Sequence, residues 1–342
     1  MKPKDRDFVE TVDGQLFCVV GYLHPPHGYT AYLKYIPSTE GKWGHGDRRF
    51  TRTLPYYHVS QVENTYAYLK ANFPEYLYEC PVRGITISYV PLDKVARYYD
   101  PGNVLNSIRE RGPRDPLEQK LIDLVDLFRR RTGLDDCYGV TGSILTGIHN
   151  PLFSDIDVIV YGLEASRKVK EAMVKLVNEE GSVRALSKLE KEERCRDRVG
   201  KFPLSIHELR RFADTWWNYA YFEGTYFSAH PTRTDDEITE TYGDNTYHRV
   251  GEVSGIATIQ DDSESVYLPA VYKIANVESE WAPKIGKIVS YEVLYSGVFK
   301  KGEVIEFRGA LEEIRGKTPG YQVVIGGAGS PNSYIKWRNY SG

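Results

Sequence analysis

Two aspartates, Asp155 and Asp157, stand one residue apart at the head of the apolar run Ile156, Val158, Ile159 and Val160. The run reads as a buried strand. Successive strand side chains point to opposite faces, so both carboxylates belong to one face. Two anions side by side repel, and burying them without a partner is costly. A divalent cation resolves that conflict. Hard oxygen donors on a rigid strand suit Mg²⁺, which keeps several waters and shares its other positions with substrate phosphates.

Eleven residues separate Asp155 from the segment "VTGS", which ends in Gly142 and Ser143, where "ILTG" begins a short helix. Glycine lets the main chain come close to a ligand, and free N–H groups at a helix start attract phosphate. A phosphate cradle followed by a metal dyad is what phosphoryl or nucleotidyl transfer needs. One metal lowers the pKa of the attacking hydroxyl and a second steadies the departing pyrophosphate. Each half alone is commonplace, since Asp-x-Asp pairs also cap turns and Gly-Ser pairs occur everywhere. Their order and apolar setting make the combination specific.

The elements that must position these residues are legible in outline. Asp115-Pro116-Leu117-Glu118 supplies an N-cap, a proline at the first helical position and an acid in the first turn. Leu117, Leu121, Leu124, Val125 and Phe128 then recur at helical spacing up to Gly133. Arg129, Arg130 and Arg131 fall in the last turn, where they complement the helix dipole on a solvated face. Beyond Gly162, "ASRKVKEAMVKLV" and "SKLEKEERCRDR" read as helices, and "SIHELRRFADTWWNYAYF" as a third that packs Trp216 and Trp217. "GTYFSAHPTR", from Gly224 to Arg233, reads as a strand, and "DDEITETYG" after it as a helix start. Residues 8–90 and the chain from Gly251 onward are short alternating β-runs punctuated by Pro and Gly.

The expected organisation is therefore a β-rich N-terminal domain over 1–112, a central α+β domain over 113–248 and a C-terminal small β-barrel or sandwich over 249–342. At 342 residues, 41% hydrophobic and 27% charged, the chain is long enough for two or three folded units. A net charge of -3 gives no global basic field, so any nucleic-acid contact must use a local patch. No apolar run is long enough to span a bilayer and "MKPKDRDFVE" has no signal-peptide core, so no membrane partner and a cytoplasmic location are expected. Cys18, Cys80, Cys137 and Cys195 form no CxxC pair and read as reduced thiols. His24 and His27 in "HPPH" read as a stiff loop, "DDSES" as a polar loop, and "GGAGSPNS" as a turn that lacks the Lys-Ser/Thr of a phosphate loop.

Gly142-Ser143, the eleven-residue spacer and Asp155-Ile156-Asp157-Val158 resemble the hallmark of the DNA polymerase beta-like nucleotidyltransferase superfamily, over roughly residues 115–235. The flanking β-rich regions are similar to a little-studied group of nucleotidyltransferases. The resemblance implies a mixed sheet flanked by helices, two Mg²⁺ (or Mn²⁺) ions, and transfer of a nucleoside monophosphate from an NTP to a hydroxyl on an RNA end, a protein or a small molecule. Asp155 and Asp157 would ligate metal; Thr141, Gly142, Ser143 and Ser154 would hold the nucleotide. The superfamily usually has a third carboxylate on a later strand. The matching strand here, "GTYFSAHPTR", has none, which leaves His230 as its nearest metal ligand or proton acceptor, with Glu223 and Asp235 flanking it. Without a third group the same fold could bind nucleotide or RNA and transfer nothing. In a third reading the β domains bind a partner protein and the central domain is a scaffold. Base choice, acceptor and oligomeric state are not encoded in any motif.

Overall fold

A computed structural model describes residues 2–53, 62–281, 284–326 and 330–338. The fold is α+β, with seven α-helices and three sheets among the described residues. The chain groups into two compact units that do not follow chain order: residues 1–55, 88–187 and 217–239 form the first, and 56–87, 188–216 and 240–342 the second. No helix among the described residues is long and apolar enough to cross a membrane.

The first unit holds two sheets. Its N-terminal sheet is antiparallel, with strands in the order Trp43–His45, Arg48–Arg52, Gly28–Pro37, Leu16–Val19, Phe8–Thr11 and Val95–Tyr99. The central sheet is mixed: Val183–Ala185, Tyr219–Phe222, Thr225–Thr232, Ile156–Tyr161 and Tyr138–Thr141, with only Thr225–Thr232 parallel to Ile156–Tyr161. One face of the central sheet carries Val140, Ile156, Val158, Val160, Ala220, Phe227 and Ala229. Helices Pro101–Arg111, Pro116–Thr132 and Leu163–Leu176 bury Leu105, Leu121, Leu124, Phe128, Val169 and Met173 against that face. Alternation then leaves Thr141, Asp157, Ser228 and Tyr219, which sit side by side across the strands, on the other face.

The helix Pro116–Thr132 begins as its sequence dictates. Asp115 Oδ1 accepts from the amides of Leu117 and Glu118, and Gly133 closes the helix at φ 69°. Arg131 pairs with Glu179 and Arg129 donates to the Asp135 carbonyl, so these arginines are engaged within the unit. His24 accepts from the Thr30 amide, in keeping with a structural loop.

Two expected helices are different. The helix read across "SIHELRRFADTWWNYAYF" covers only Ile206–Ala213, and Tyr219–Phe222 is a strand. Alternating Tyr-Ala-Tyr-Phe suits a half-buried strand better than a helix turn, and pairing with Thr225–Thr232 settles it. Trp216 and Trp217 therefore lie beyond the helix. "DDEITETYG" is a turn, because Glu237 is drawn into capping: it accepts from the amides of Thr234 and Leu163, the latter opening the helix Leu163–Leu176.

In the second unit, strands Asn245–Asp261, Ala270–Glu278, Ile285–Ser290, Gly320–Ile325 and Val304–Gly316 run in that order. Pairing of the first with the last closes them into a ring, and Tyr334–Trp337 adds to the edge. Its core contains Phe299, Phe307, Tyr272 and Tyr295, joined by Leu209 and Phe212 of helix Ile206–Ala213. A C-terminal small β-barrel is thus present. In "DDSES", Asp261 pairs with Lys273 and Asp262 with Lys300, which makes it a polar loop. Gly327–Gly329 of "GGAGSPNS" lie outside the described residues.

Candidate active site

Asp157 is the second residue of the strand Ile156–Tyr161, and Asp155 immediately precedes that strand. Asp157 lies between Thr141 on one neighbouring strand and Ser228 on the other. The Ser228 hydroxyl donates a short hydrogen bond to Asp157 Oδ1. His230 Nε2 is 2.7 Å from Ser228 Oγ and 3.3 Å from the same Asp157 oxygen. Ser228 has one proton and gives it to the carboxylate, so the His230 nitrogen facing it must be the N–H form. Burial, reinforced by the charge of Arg6, holds the His230 pKa down to about 4, which keeps the ring neutral near pH 7.

On the far side, Gly142 has φ +69°, and a Cβ there would stand 2.5 Å from Asp157 Oδ2. The glycine is thus needed twice, for a left-handed backbone and for the approach of the carboxylate. We expect Gly142→Ala to destabilise the fold by about 2 kcal/mol, from αL strain plus displacement of Asp157. Denaturant melts measure this, and a variant as stable as wild type would mean that the carboxylate moves freely.

The two carboxylates share one electrostatic field. Asp155 is raised above the usual carboxylate range, chiefly by the negative charge of Asp157 and then by burial. Asp157 is held well below that range: burial pushes it up, but the bonds from His230 and Ser228 and the charge of Lys34 outweigh this. Asp155 accepts from its own main-chain N–H, and no side chain bonds it among the described residues. A partly buried carboxylate pair of this kind, with unrelieved repulsion, is a donor set that would suit a hard divalent cation.

Sequence reasoning missed the cations around this pair. The ladder between Leu16–Val19 and Gly28–Pro37 pairs Leu16 with Tyr35 and Phe17 with Leu33, so Lys34 is the extra residue of a β-bulge. Its ammonium stands 5.3 Å from the Phe8 ring centroid and 5.9 Å from that of Tyr35. Those two rings share a core with Leu145 and Ile148, which flank the end of the Gly142–Leu145 helix. Lys34 thereby acts on Asp155, Asp157 and His230, and Arg52 acts on Asp155. Arg6, at φ 71°, accepts the Thr141 hydroxyl at its carbonyl, and its side chain acts on Asp157 and His230. No local signal marks a bulge in "GYTAYLKYIP"; it exists only in the pairing.

The other expected residues have partners of their own. Thr141 spends its hydroxyl on Arg6, and Ser154 Oγ accepts from the Asn150 amide, so both shape the loops around the dyad. Ser143 is buried and its carbonyl accepts from the Ile148 amide. Asp235 pairs with Lys4 at 2.5 Å. Glu223 sits in the turn between paired Phe222 and Thr225, beyond Thr225, which is itself three residues or about 10 Å along the strand from Ser228. The strand position facing Asp157 is therefore filled by Ser228 and His230, with no third carboxylate.

A second cluster, Asp115, Glu118 and His149, gathers donor atoms within 4.8 Å. Asp115 Oδ2 is 2.7 Å from His149 Nε2 while its other oxygen caps the helix. Both Glu118 oxygens receive Arg111, and one also receives the Arg114 amide. With those oxygens already satisfied, this set pins the loop after Leu145 to a helix start and leaves little for a metal.

An α+β protein whose central sheet brings the Asp157 carboxylate against a glycine bend, with Asp155 at the head of the same strand, is what the geometry defines. The chain is 30% identical over 346 residues to "Uncharacterized protein MJ1086" of Methanocaldococcus jannaschii, spanning 98% of this chain and 99% of that one. It belongs to the family of that protein. No family model matches the chain, and no solved structure matches it.

Proposed function

We propose that the protein is a metal-dependent nucleotidyltransferase of the DNA polymerase beta-like kind, moving a nucleoside monophosphate from an NTP to an acceptor hydroxyl. The observation that supports this reading is the closeness of the Asp157 carboxylate to Gly142, where a Cβ would stand 2.5 Å from Oδ2, so that bend and strand acid are neighbours. Cytoplasmic placement, with all four cysteines free, belongs to the same reading.

Asp155 and Asp157 would hold Mg²⁺ or Mn²⁺. When bound, the metal supplies charge to the polyphosphate and acidity to the acceptor hydroxyl. Ser228 and His230 fix Asp157 in one rotamer, and the neutral imidazole adds no competing cation there. The acceptor oxygen bonds to the α-phosphorus, the bond to the bridging oxygen breaks, and pyrophosphate departs. The acceptor proton passes to a carboxylate oxygen of Asp155.

Lys34 and Arg52, brought in by the N-terminal sheet, bind the departing pyrophosphate. Lys34→Met is expected to lower kcat/KM for the NTP by about 10- to 100-fold, the value of a charge-assisted hydrogen bond. Steady-state kinetics at fixed metal check it; an unchanged value removes Lys34 from the site. The reading as a whole is tested by transfer of label from α-labelled NTPs, with Asp155→Ala and Asp157→Ala as controls. Activity that persists in both variants rules it out.

The second reading, a nucleotide- or RNA-binding protein without turnover, is favoured by Ser228 and His230 standing where a third carboxylate is usual. Saturable NTP binding with no transfer, across several metals and acceptors, selects it.

A further inference from the structure

The sheet face that carries Asp157 continues past Ser228. Tyr219 pairs with Ser228, Tyr221 with Tyr226, and Arg184 with Tyr221, so these four side chains extend the same face toward the edge strand. The Tyr219 and Tyr226 rings are nearly parallel, with centroids 6.3 Å apart and planes at 12°. Tyr221 meets Tyr226 edge-on at 5.6 Å, and the Arg184 guanidinium lies 4.1 Å over Tyr221. None of the three tyrosines joins an apolar core of the described residues, whereas Ala220, Phe222 and Phe227 between them do. The tyrosines are half-buried and Arg184 is exposed.

Aromatic rings ranged on a sheet, with an arginine at the margin, are a surface on which unpaired bases stack. Two strand spacings, about 10 Å, separate Asp157 from Tyr219. Tyr221 lies two residues further along, about 7 Å, and Arg184 one more strand away. That reach is longer than one nucleoside and favours a polynucleotide over the base of the NTP alone. We propose that Tyr219, Tyr221 and Tyr226, ending at Arg184, seat a single-stranded nucleic acid whose terminal hydroxyl is presented to Asp155 and Asp157. Only the fate of that hydroxyl rests on the transferase reading; the binding does not.

The experiment is fluorescence anisotropy of an end-labelled oligoribonucleotide of about 12 nucleotides with the full chain, in EDTA and without NTP. Wild type is expected to bind saturably, and Tyr221→Ala or Tyr226→Ala to weaken binding by roughly five- to hundredfold, while Tyr226→Phe retains it. Arg184→Ala, an exposed change that keeps the fold even if a tyrosine variant does not, is expected to reduce the salt slope of binding by about one. Absence of saturable binding, or binding indifferent to all these variants, overturns the proposal. So does a rise in NTP KM with oligonucleotide affinity unchanged, which assigns the rings to the incoming base, or displacement by an unstructured peptide but not by unlabelled RNA. Tyrosine-dependent binding without label transfer leaves this inference standing and removes the transferase.

Discussion

If the proposed transferase reading holds, Asp157→Ala is expected to lower nucleotidyl transfer by at least about 10³-fold, and also to weaken the fold. The loss of rate would follow from removing the proposed metal carboxylate, a contribution of several kcal/mol at about 1.4 kcal/mol per decade. The loss of stability follows from the partners left behind. Ser228 and His230 converge on one Asp157 oxygen, and Arg6 stands close enough for its charge to act on the carboxylate. Without the carboxylate, the buried Ser228 hydroxyl loses its acceptor, His230 loses the longer of its two contacts, and Arg6, paired with Asp5, loses a second, weaker attraction. About 3 kcal/mol is the scale for breaking such a set. The sign with pH follows from the carboxyl being held below its usual range. Its stabilising contribution is present above the ordinary aspartate pKa and is lost as pH falls toward the lowered value. The wild-type advantage over Asp157→Ala is therefore full at pH 7 and shrinks in acid. Urea melts at two pH values read it. An Ala variant that is inactive but as stable as wild type would mean that Ser228, His230 and Arg6 are satisfied without Asp157.

The legible part of this site was the part written in adjacent residues. Asp155 and Asp157 on one face, Gly142 and Ser143 at a bend, and the capped helix from Pro116 all follow from periodicities of two and 3.6 and from the demands of a helix end. The alternating runs likewise announce β structure at both ends of the chain. Three further kinds of information were out of reach. Which sheet a run joins depends on pairing, so Tyr219–Phe222 reads as the tail of a helix until Thr225–Thr232 pairs with it. A bulge is a property of two strands, so nothing in "GYTAYLKYIP" marks Lys34 as the residue thrown out of register toward the carboxylates. And a chain need not lay out its compact units in order: residues 88–187 fold with 1–55, which is why Arg6, Lys34 and Arg52 reach a dyad more than a hundred residues away.

Asp155→Asn is expected to do to stability the opposite of what Asp157→Ala does, while also eliminating transfer. In the folded protein the negative charge of Asp157, more than burial, raises the Asp155 carboxyl above its ordinary value. A raised carboxyl pKa means that the fold prefers the protonated form. The contribution is favourable below about pH 4 and is lost as pH climbs through the raised value. At pH 7.5 the ionised side chain therefore costs stability, and an uncharged isostere relieves it. The expected gain in metal-free protein is about 1–2 kcal/mol, or a few degrees in Tm for a unit of this size, and it vanishes near pH 4. His230 runs the other way in the same window: its pKa is held down to about 4, so stability is lost as pH falls from about 6.5 through 4. Because that term is common to wild type and variant, it cancels in the difference, and the difference curve isolates Asp155. Magnesium supplies the companion measurement. At a concentration about a hundred times its Kd it adds roughly 2.7 kcal/mol to the wild type, and the Asn variant, short of one anionic ligand, responds far less. A variant no more stable than wild type at pH 7.5 in EDTA would mean that the two carboxylates do not repel. The reason for a shared cation would then be gone, since it is their unrelieved repulsion that a metal ion answers.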